Sequence, residues 1–214
     1  MNILVTAGNT QTPLDRVRCI TNIFSGRTGT GIALRAAELG HSVTLLTSHP
    51  ELAGDRTGLR VHSYRTFNDL ETLMAREIAS GSYAAIIHAA AVNDYLLVGT
   101  FTRRGEEFVD VSAAKVKGNH EELWLQMRPA PKLVDQVRGE WRFTGKLVKF
   151  KLEVNATDAE LLDIAEKSRV HSGADLMVAN TLEGMGEWAF IGAGDYRRVS
   201  RAELADAILK ALDF

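Results

Sequence analysis

The 214-residue chain has one cysteine, Cys19, so no disulfide can form within it. That fits a reducing compartment and predicts a cytoplasmic protein. No apolar run approaches the roughly 20 residues that a membrane-spanning helix needs. The opening MNILVTAG lacks the basic start and long apolar centre of a secretory leader. With a formal net charge of -2 there is no field to draw nucleic acid or an anionic membrane. The six histidines are scattered, and with one cysteine they make no zinc-spaced set, so no metal ligands are assigned. The G-x-S-x-G elbow of serine hydrolases and the G-x-x-x-x-G-K-[ST] P-loop are both missing. Repeats, low-complexity tracts and linkers are missing too.

What is present is an ordinary globular composition, 45% hydrophobic and 24% charged. The length fits a single domain over residues 1–214. Strand and helix signals alternate. Residues 3–6, 42–47, 83–91, 143–150, 176–179 and 188–191 read as strands, with shorter candidates at 108–111 and 123–127. Helices are expected over 29–39, capped by Gly40, and over 69–79, stopped by Gly81. Pro131 suits the first turn of a helix reaching Val137. Thr157 with Glu160 makes a capping box for a helix ending before Gly173, and Ser200 with Glu203 caps a final helix. The pattern predicts an α/β, three-layer Rossmann-like fold with a largely parallel central sheet. Residues 96–119, rich in Gly, Arg and Lys, are expected to form a flap or long loop.

Ligands in such sheets sit beyond the carboxyl ends of the strands. The loops after Thr6, Ala91, Phe150 and Ala179 are therefore the places to look. They carry Asn9 and Thr10, Asn93 and Asp94, Glu153, and Asn180. Gly26, Gly29 and Gly31 stand at a helix start, where backbone N–H groups can cradle phosphate; a plain loop is the other reading. The small residues Ala89, Ala90 and Ala91 allow close approach of a ligand, and Asp94 either accepts from it, helps hold a metal, or caps a turn. Lys115 and Lys117 suit a polyphosphate or a solvated loop. Phe150 suits stacking on a base or core packing. A dinucleotide fingerprint is disfavoured: the glycines lie too far from the first strand, and Leu46-Thr47-Ser48 offers no carboxylate to a ribose.

The order of motifs resembles the phosphopantothenate–cysteine ligases (phosphopantothenoylcysteine synthetases) over nearly the whole chain. VTAGNTQTPLDRVRCITNIFSGRTG is similar to their opening, AAAVNDY to their A-A-V-x-D-[YF], and KVKG in part to their K-x-K-K. LQMRPAPKLVDQV follows in place, and KFKLEV and VANTLEG resemble the eukaryotic branch. The resemblance implies a two-step reaction. A nucleoside triphosphate, with Mg²⁺ held mainly by its phosphates, activates the carboxylate of 4′-phosphopantothenate as an acyl-nucleotidylate and releases pyrophosphate. The amine of L-cysteine then displaces the nucleoside monophosphate. It also implies a homodimer.

By position, the resemblance assigns Asn22 to the acyl intermediate and Lys115, with Lys117, to the triphosphate. Gly8, Ser25, Gly26, Arg27 and Gly29 fall in the phosphate turn. Ala90, Ala91, Asp94, Pro131 and Lys132 border the nucleotide, and Phe150 lies against the base. Arg18 and Asn180 fall to the substrate, and Lys167 or Arg169 to a further phosphate contact. The chain departs at Phe24, Gly118, Ala130-Pro131-Lys132 and Val154. Its FKLE and APK stretches lean toward ATP, as in the eukaryotic branch, over the CTP of the bacterial fused enzymes. No flavin-dependent decarboxylase is seen in the chain, so FMN binding is not expected. Two other classes fit the residues less well. An NAD(P)-dependent reductase lacks its Tyr-x-x-x-Lys pair, and the retained Asn22, Lys115 and Asp94 argue against a non-catalytic nucleotide-binding module.

Overall fold

The computed structural model describes residues 1–212; the last two positions of the expected 1–214 unit lie outside the described residues. In chain order the elements are β1 (Asn2–Ala7), β2 (Gln11–Pro13), β3 (Cys19–Thr21), α1 (Arg27–Glu38), β4 (Ser42–Thr47), β5 (Leu59–Ser63), α2 (Phe67–Ser80) and β6 (Ala85–His88). Then come β7 (Tyr95–Arg104), β8 (Glu107–Asp110), β9 (Trp124–Pro129), α3 (Leu133–Arg138), β10 (Lys146–Glu153) and α4 (Asp158–Ser172). The chain continues through β11 (Leu176–Thr181), β12 (Trp188–Ala193), β13 (Asp195–Ser200) and α5 (Leu204–Leu212).

The main sheet runs β13-β12-β11-β10-β6-β1-β4-β5. Every pair from β5 to β11 is parallel, while β12 and β13 return antiparallel. Among the six parallel strands the spatial order is the doubly wound one, reversing between β1 and β6. That reversal opens a crevice at their carboxyl ends.

Period-two alternation in NILVTA divides the core between two faces. Ile3, Val5 and Ala7 pack with Ile32, Ala33 and Ala36 of α1 and with Ile208 and Leu212 of α5. Leu4 faces the other way, onto Leu70 and Met74 of α2 and Leu133 and Val137 of α3. Lys149, on the same face of β10 as Leu147, reaches the Ser168 carbonyl and the Ser172 hydroxyl of α4. So α4 joins α2 and α3, and three layers result. Each fully buried leucine contributes about 1.5–3 kcal/mol.

The capping box at Thr157 and Glu160 forms, and Gly173 closes α4 in the left-handed conformation at φ 61°. Ser200 and Glu203 bond reciprocally ahead of α5. α2 starts earlier than expected because Thr66 and Asp69 form a capping box. Pro131 stands ahead of α3 rather than in its first turn, since Lys132 is the cap.

The expected flap is largely a second sheet, of order β8-β7-β9. A two-residue turn at Gly105, with φ 63°, joins β7 to β8. Only residues 111–123 between β8 and β9 are irregular. The hairpin β2–β3, the edge strand β5 and the final strand β13 lie outside the elements expected from the sequence.

Candidate functional site

Three loops converge on the crevice between β1 and β6. The first leaves β1 through Gly8, whose φ is 89°. The second precedes α1 through Gly26, at φ 81°. These two loops touch: a Cβ on Gly26 would lie 2.0 Å from the Gly8 nitrogen. Gly29, one turn on, has room for no Cβ either, with Ala7 Cβ at 2.8 Å and the Thr6 carbonyl at 2.9 Å. The first turn of α1 is thereby pressed onto the end of β1. Its N-cap is Gly26, no side chain caps it, and it holds no acidic residue. Backbone N–H groups and the positive end of the helix dipole are left for an anion. Ser25 and Arg27 flank this turn. Gly31 is different: a Cβ there would meet nothing within 4 Å, so it is an ordinary helix position.

The third loop leaves β6 through Ala89, Ala90 and Ala91. Ala91 donates to the Gly8 carbonyl (2.8 Å), and its own carbonyl accepts from Thr10 (3.2 Å). Asn22, just past β3, closes the group. Its Nδ2 donates to the Ala91 carbonyl (3.1 Å) and to Asn93 Oδ1 (3.0 Å). The orientation of both amides is fixed by the network. Asn93 Nδ2 must face the Ile20 carbonyl (3.2 Å), which can only accept, so its Oδ1 faces Asn22. Asn22 must then present Nδ2. Its Oδ1 is left without a partner among the described residues. Asn9 completes the frame, donating to the Asn22 carbonyl (2.6 Å) and accepting from Ser48 Oγ (3.0 Å). Ser48, at the position where a dinucleotide fold would carry a ribose carboxylate, is thus spent on Asn9.

Beneath this loop lies His88. Its Nδ1 is 2.9 Å from Thr6 Oγ1, which also accepts from the Ala90 N–H (3.2 Å). Burial, then the nearby Lys149 charge, lowers its pKa from 6.5 to about 4. The unfolded chain takes up a proton near 6.5 that the folded protein refuses until about 4. The stability this contributes is complete above 6.5 and is lost as pH falls toward 4. The loss is about 3 kcal/mol over that window. Urea unfolding at stepped pH should show it, and His88→Gln should flatten the slope there; an equal slope in the variant would remove His88 as the cause.

The other expected residues are placed as follows. Asp94 pairs with Lys132, and its carbonyl accepts from Ala130 (2.8 Å), so the β6 and β9–α3 loops are joined. Lys115 and Lys117 are exposed, and their amines have no partner among the described residues. Arg18 is bonded to Asp15 and to the Val116 carbonyl, 2.7 Å away, which ties its guanidinium to the irregular segment. Phe150 is half-buried and packs against the α1–α5 core, as the core reading of it anticipates. Asn180 is buried at the carboxyl end of β11. Lys167 is exposed on α4 and pairs with Asp163 (2.7 Å). Arg169 pairs with Glu166 (2.6 Å).

Asn93 stands in a loop the sequence singled out, whereas the parts played by Ser48 and Arg201 rest on contacts that span the chain and no spacing announces them. Arg201, half-buried and bonded to Thr28 Oγ1, steadies the first turn of α1 from the far end of the sequence.

A family model, the DNA/pantothenate metabolism flavoprotein C-terminal domain, matches residues 1–210. The coenzyme A biosynthesis bifunctional protein CoaBC of Thermococcus kodakarensis is 32% identical over 216 residues, covering 96% of this chain and 49% of that protein. CoaBC of Escherichia coli is 28% identical over 183 residues, 84% of this chain and 41% of that one. The chain therefore spans about half the length, or less, of the curated relatives it matches. Among solved structures, the DNA/pantothenate metabolism flavoprotein of Streptococcus pneumoniae aligns with a TM-score of 0.87 at 29% identity, over 99% of this chain and 98% of that one. Cab2 in complex with phosphopantothenate-cysteine, at 17% identity and a TM-score of 0.74, covers 99% of this chain and 87% of its own and shares the fold. With its match running from residue 1 to residue 210, the chain belongs to the family of DNA/pantothenate metabolism flavoprotein C-terminal domains.

Proposed function

We propose that residues 1–214 form a phosphopantothenate–cysteine ligase domain of coenzyme A biosynthesis. The observation that carries this reading is Asn22. Its amide is locked at the switch-point crevice with one oxygen left over, beside the uncapped first turn of α1. The relatives' names support a place in coenzyme A biosynthesis, and the phosphopantothenate-cysteine held by Cab2 is the product such a ligase would form.

In the first step a carboxylate oxygen of 4′-phosphopantothenate attacks the α-phosphorus of the nucleotide. One P–O bond forms, another breaks, and pyrophosphate leaves. Lys115 and Lys117 oppose the charge that gathers on the leaving phosphates. The α1 turn, through Gly26, Arg27 and Gly29, supplies N–H donors to an anion. In the second step the cysteine nitrogen attacks the acyl carbon, the nucleoside monophosphate leaves, and the amine gives up a proton. Asn22 Oδ1 is placed to accept from that amine and orient it. Mg²⁺ would come with the nucleotide: among the described residues no three His, Cys, Asp or Glu side chains gather to hold one, and an Mg²⁺ carried by substrate phosphates needs no such cage. Bound there, it would neutralise phosphate charge. The FKLE and APK stretches favour ATP over CTP.

Pyrophosphate release with Mg²⁺ and phosphopantothenate, compared between ATP and CTP and with and without cysteine, tests the reading. Release that needs phosphopantothenate, with an amide product only when cysteine is present, supports it; no release with either nucleotide overturns it.

The domain acts as a homodimer in this proposal. Val17 and Ile23 are exposed beside β2 and β3, and Phe108 and Trp124 are exposed together on one face of the small sheet. An apolar patch of this kind marks a surface that meets a partner. Phe108 and Trp124 stack edge to face at 5.3 Å. Phe108→Asp with Trp124→Asp should shift the light-scattering mass from two chains to one; an unchanged mass places the interface elsewhere. No helix among the described residues is long and apolar enough to cross a membrane.

A further inference from the structure

The loop joining β2 to β3 holds a carboxylate that none of the roles above uses. The side chain of Asp15 has no exposed surface. It accepts from the N–H groups of Val17 and Arg18, both at 2.8 Å, and from Arg18 Nη2 (2.6 Å) and Nε (3.2 Å). Those bonds would suit a turn that merely caps itself. The fifth does not. Asp15 Oδ2 also accepts from the N–H of Val116 (3.1 Å), 101 residues away. Arg18 Nη2, already on Asp15, donates to the carbonyl of the same Val116 at 2.7 Å. Both polar backbone atoms of one residue are thus gripped by one ion pair. Arg16 adds an N–H to the Ala114 carbonyl (3.0 Å).

Val116 lies between the two lysines of the irregular segment. It is 2% exposed, whereas Lys115 and Lys117 are exposed. Residues 111–123 belong to no helix or strand, so these contacts stand in for a hydrogen-bond ladder. The hairpin that makes the grip also ends, at Thr21, beside Asn22. One small element therefore holds the crevice amide at one end and the lysine segment at the other. The Arg18 guanidinium beside Asp15 holds its carboxyl well below the usual carboxylate range, so the grip stays charged through neutral pH.

We infer that Asp15 is a positioning residue: with Arg18 it clamps Val116 and so sets Lys115 and Lys117 against the Asn22 crevice. What the lysines do there rests on the ligase reading; the clamp does not.

Amide hydrogen exchange and pyrophosphate kinetics on the whole chain test this, with Asp15→Asn and Asp15→Ala as variants. In Asp15→Ala, exchange at Val116 should quicken on the order of tenfold or more, the loss of a charge-assisted bond, and less in Asp15→Asn. The amides of Leu4 and Val5 should keep their rates. The KM for nucleotide should rise about tenfold, with the KM for cysteine within about twofold. Unchanged exchange at Val116 in both variants would overturn the clamp, as would equal rises in both KM values. Should the variants unfold and Leu4 and Val5 quicken too, the unaltered protein decides. There Val17, Arg18 and Val116 all donate to Asp15 and should show protection within about tenfold of one another, because one opening frees all three; a wider spread overturns the proposal. If the unaltered protein releases no pyrophosphate, the ligase reading fails and the exchange measurements still judge the clamp.

Discussion

Lys115→Ala should lower the maximal rate of pyrophosphate release by about 10²–10³-fold, the usual effect of deleting one donor aimed at developing negative charge. Transfer of the nucleotidyl group leaves charge on pyrophosphate, and a cation placed there is worth more in the transition state than in the ground state. The other lysines near the crevice are already engaged. Lys132 is paired with Asp94, and Lys151 with Glu153 at 2.8 Å. Lys115 and Lys117 have no such partner among the described residues. As lysines they can move to a polyphosphate without first leaving a carboxylate. Lys115→Arg should restore only part of the rate, because a planar fork does not reproduce a mobile point charge. Stopped assays with saturating nucleotide check this. A rate within threefold of the parent would remove Lys115 from the first step. The same substitution should leave urea unfolding unchanged, since the side chain is exposed and makes no bond.

Gly26→Ala should cost about 3 kcal/mol or more of stability and abolish any nucleotide-dependent rise in melting temperature. Two effects add. A left-handed conformation at φ 81° costs an L-residue about 1–2 kcal/mol. The new methyl would also stand 2.0 Å from the Gly8 nitrogen and 2.5 Å from its Cα. Those are backbone atoms, so no flexible side-chain end can yield. Either Gly26 or Gly8 must move, and both loops border the crevice. Gly31→Ala is the matched control. Its Cβ would meet nothing within 4 Å. Alanine there should stabilise α1 by roughly 0.5–1 kcal/mol, as glycine inside a helix is costly. Equal behaviour of the two variants in urea unfolding and thermal shift would mean that the contact at Gly26 is not structural.

These two glycines show what the amino-acid order does and does not disclose. Both stand in one Gly-rich stretch, and spacing alone treats them alike. Only the crossing of two loops, 18 residues apart in sequence, separates them. The parallel sheet was legible because buried strands leave unbroken apolar runs, and α4 because Thr157, Glu160 and Gly173 mark its ends. The strands β2 and β3 have three residues each and no apolar run, so period carries no signal. β7 was hidden by its charged end and by Gly99, although the Gly105 turn was a usable clue. Phe150 fitted either a base or the core on sequence grounds, and its packing favours the core. Lys167 or Arg169 is carried over by the resemblance alone, outside any of its motifs, and in the structure the two pair with Asp163 and Glu166 on α4.

The late return of the chain has a consequence for biosynthesis. α1 is covered on one side by α5, and its first turn is held through Thr28 by Arg201. Arg35 on the same helix is paired with Asp206 at 2.6 Å. A ribosome delivers β1 and α1 well before these braces, which follow more than a hundred and fifty residues later. A nascent chain halted before β12 therefore has α1 packed on β1 but without α5 along its other side. Such an intermediate offers a binding surface to a chaperone, and the first turn of α1 gains its brace only once the segment carrying Arg201 has been made.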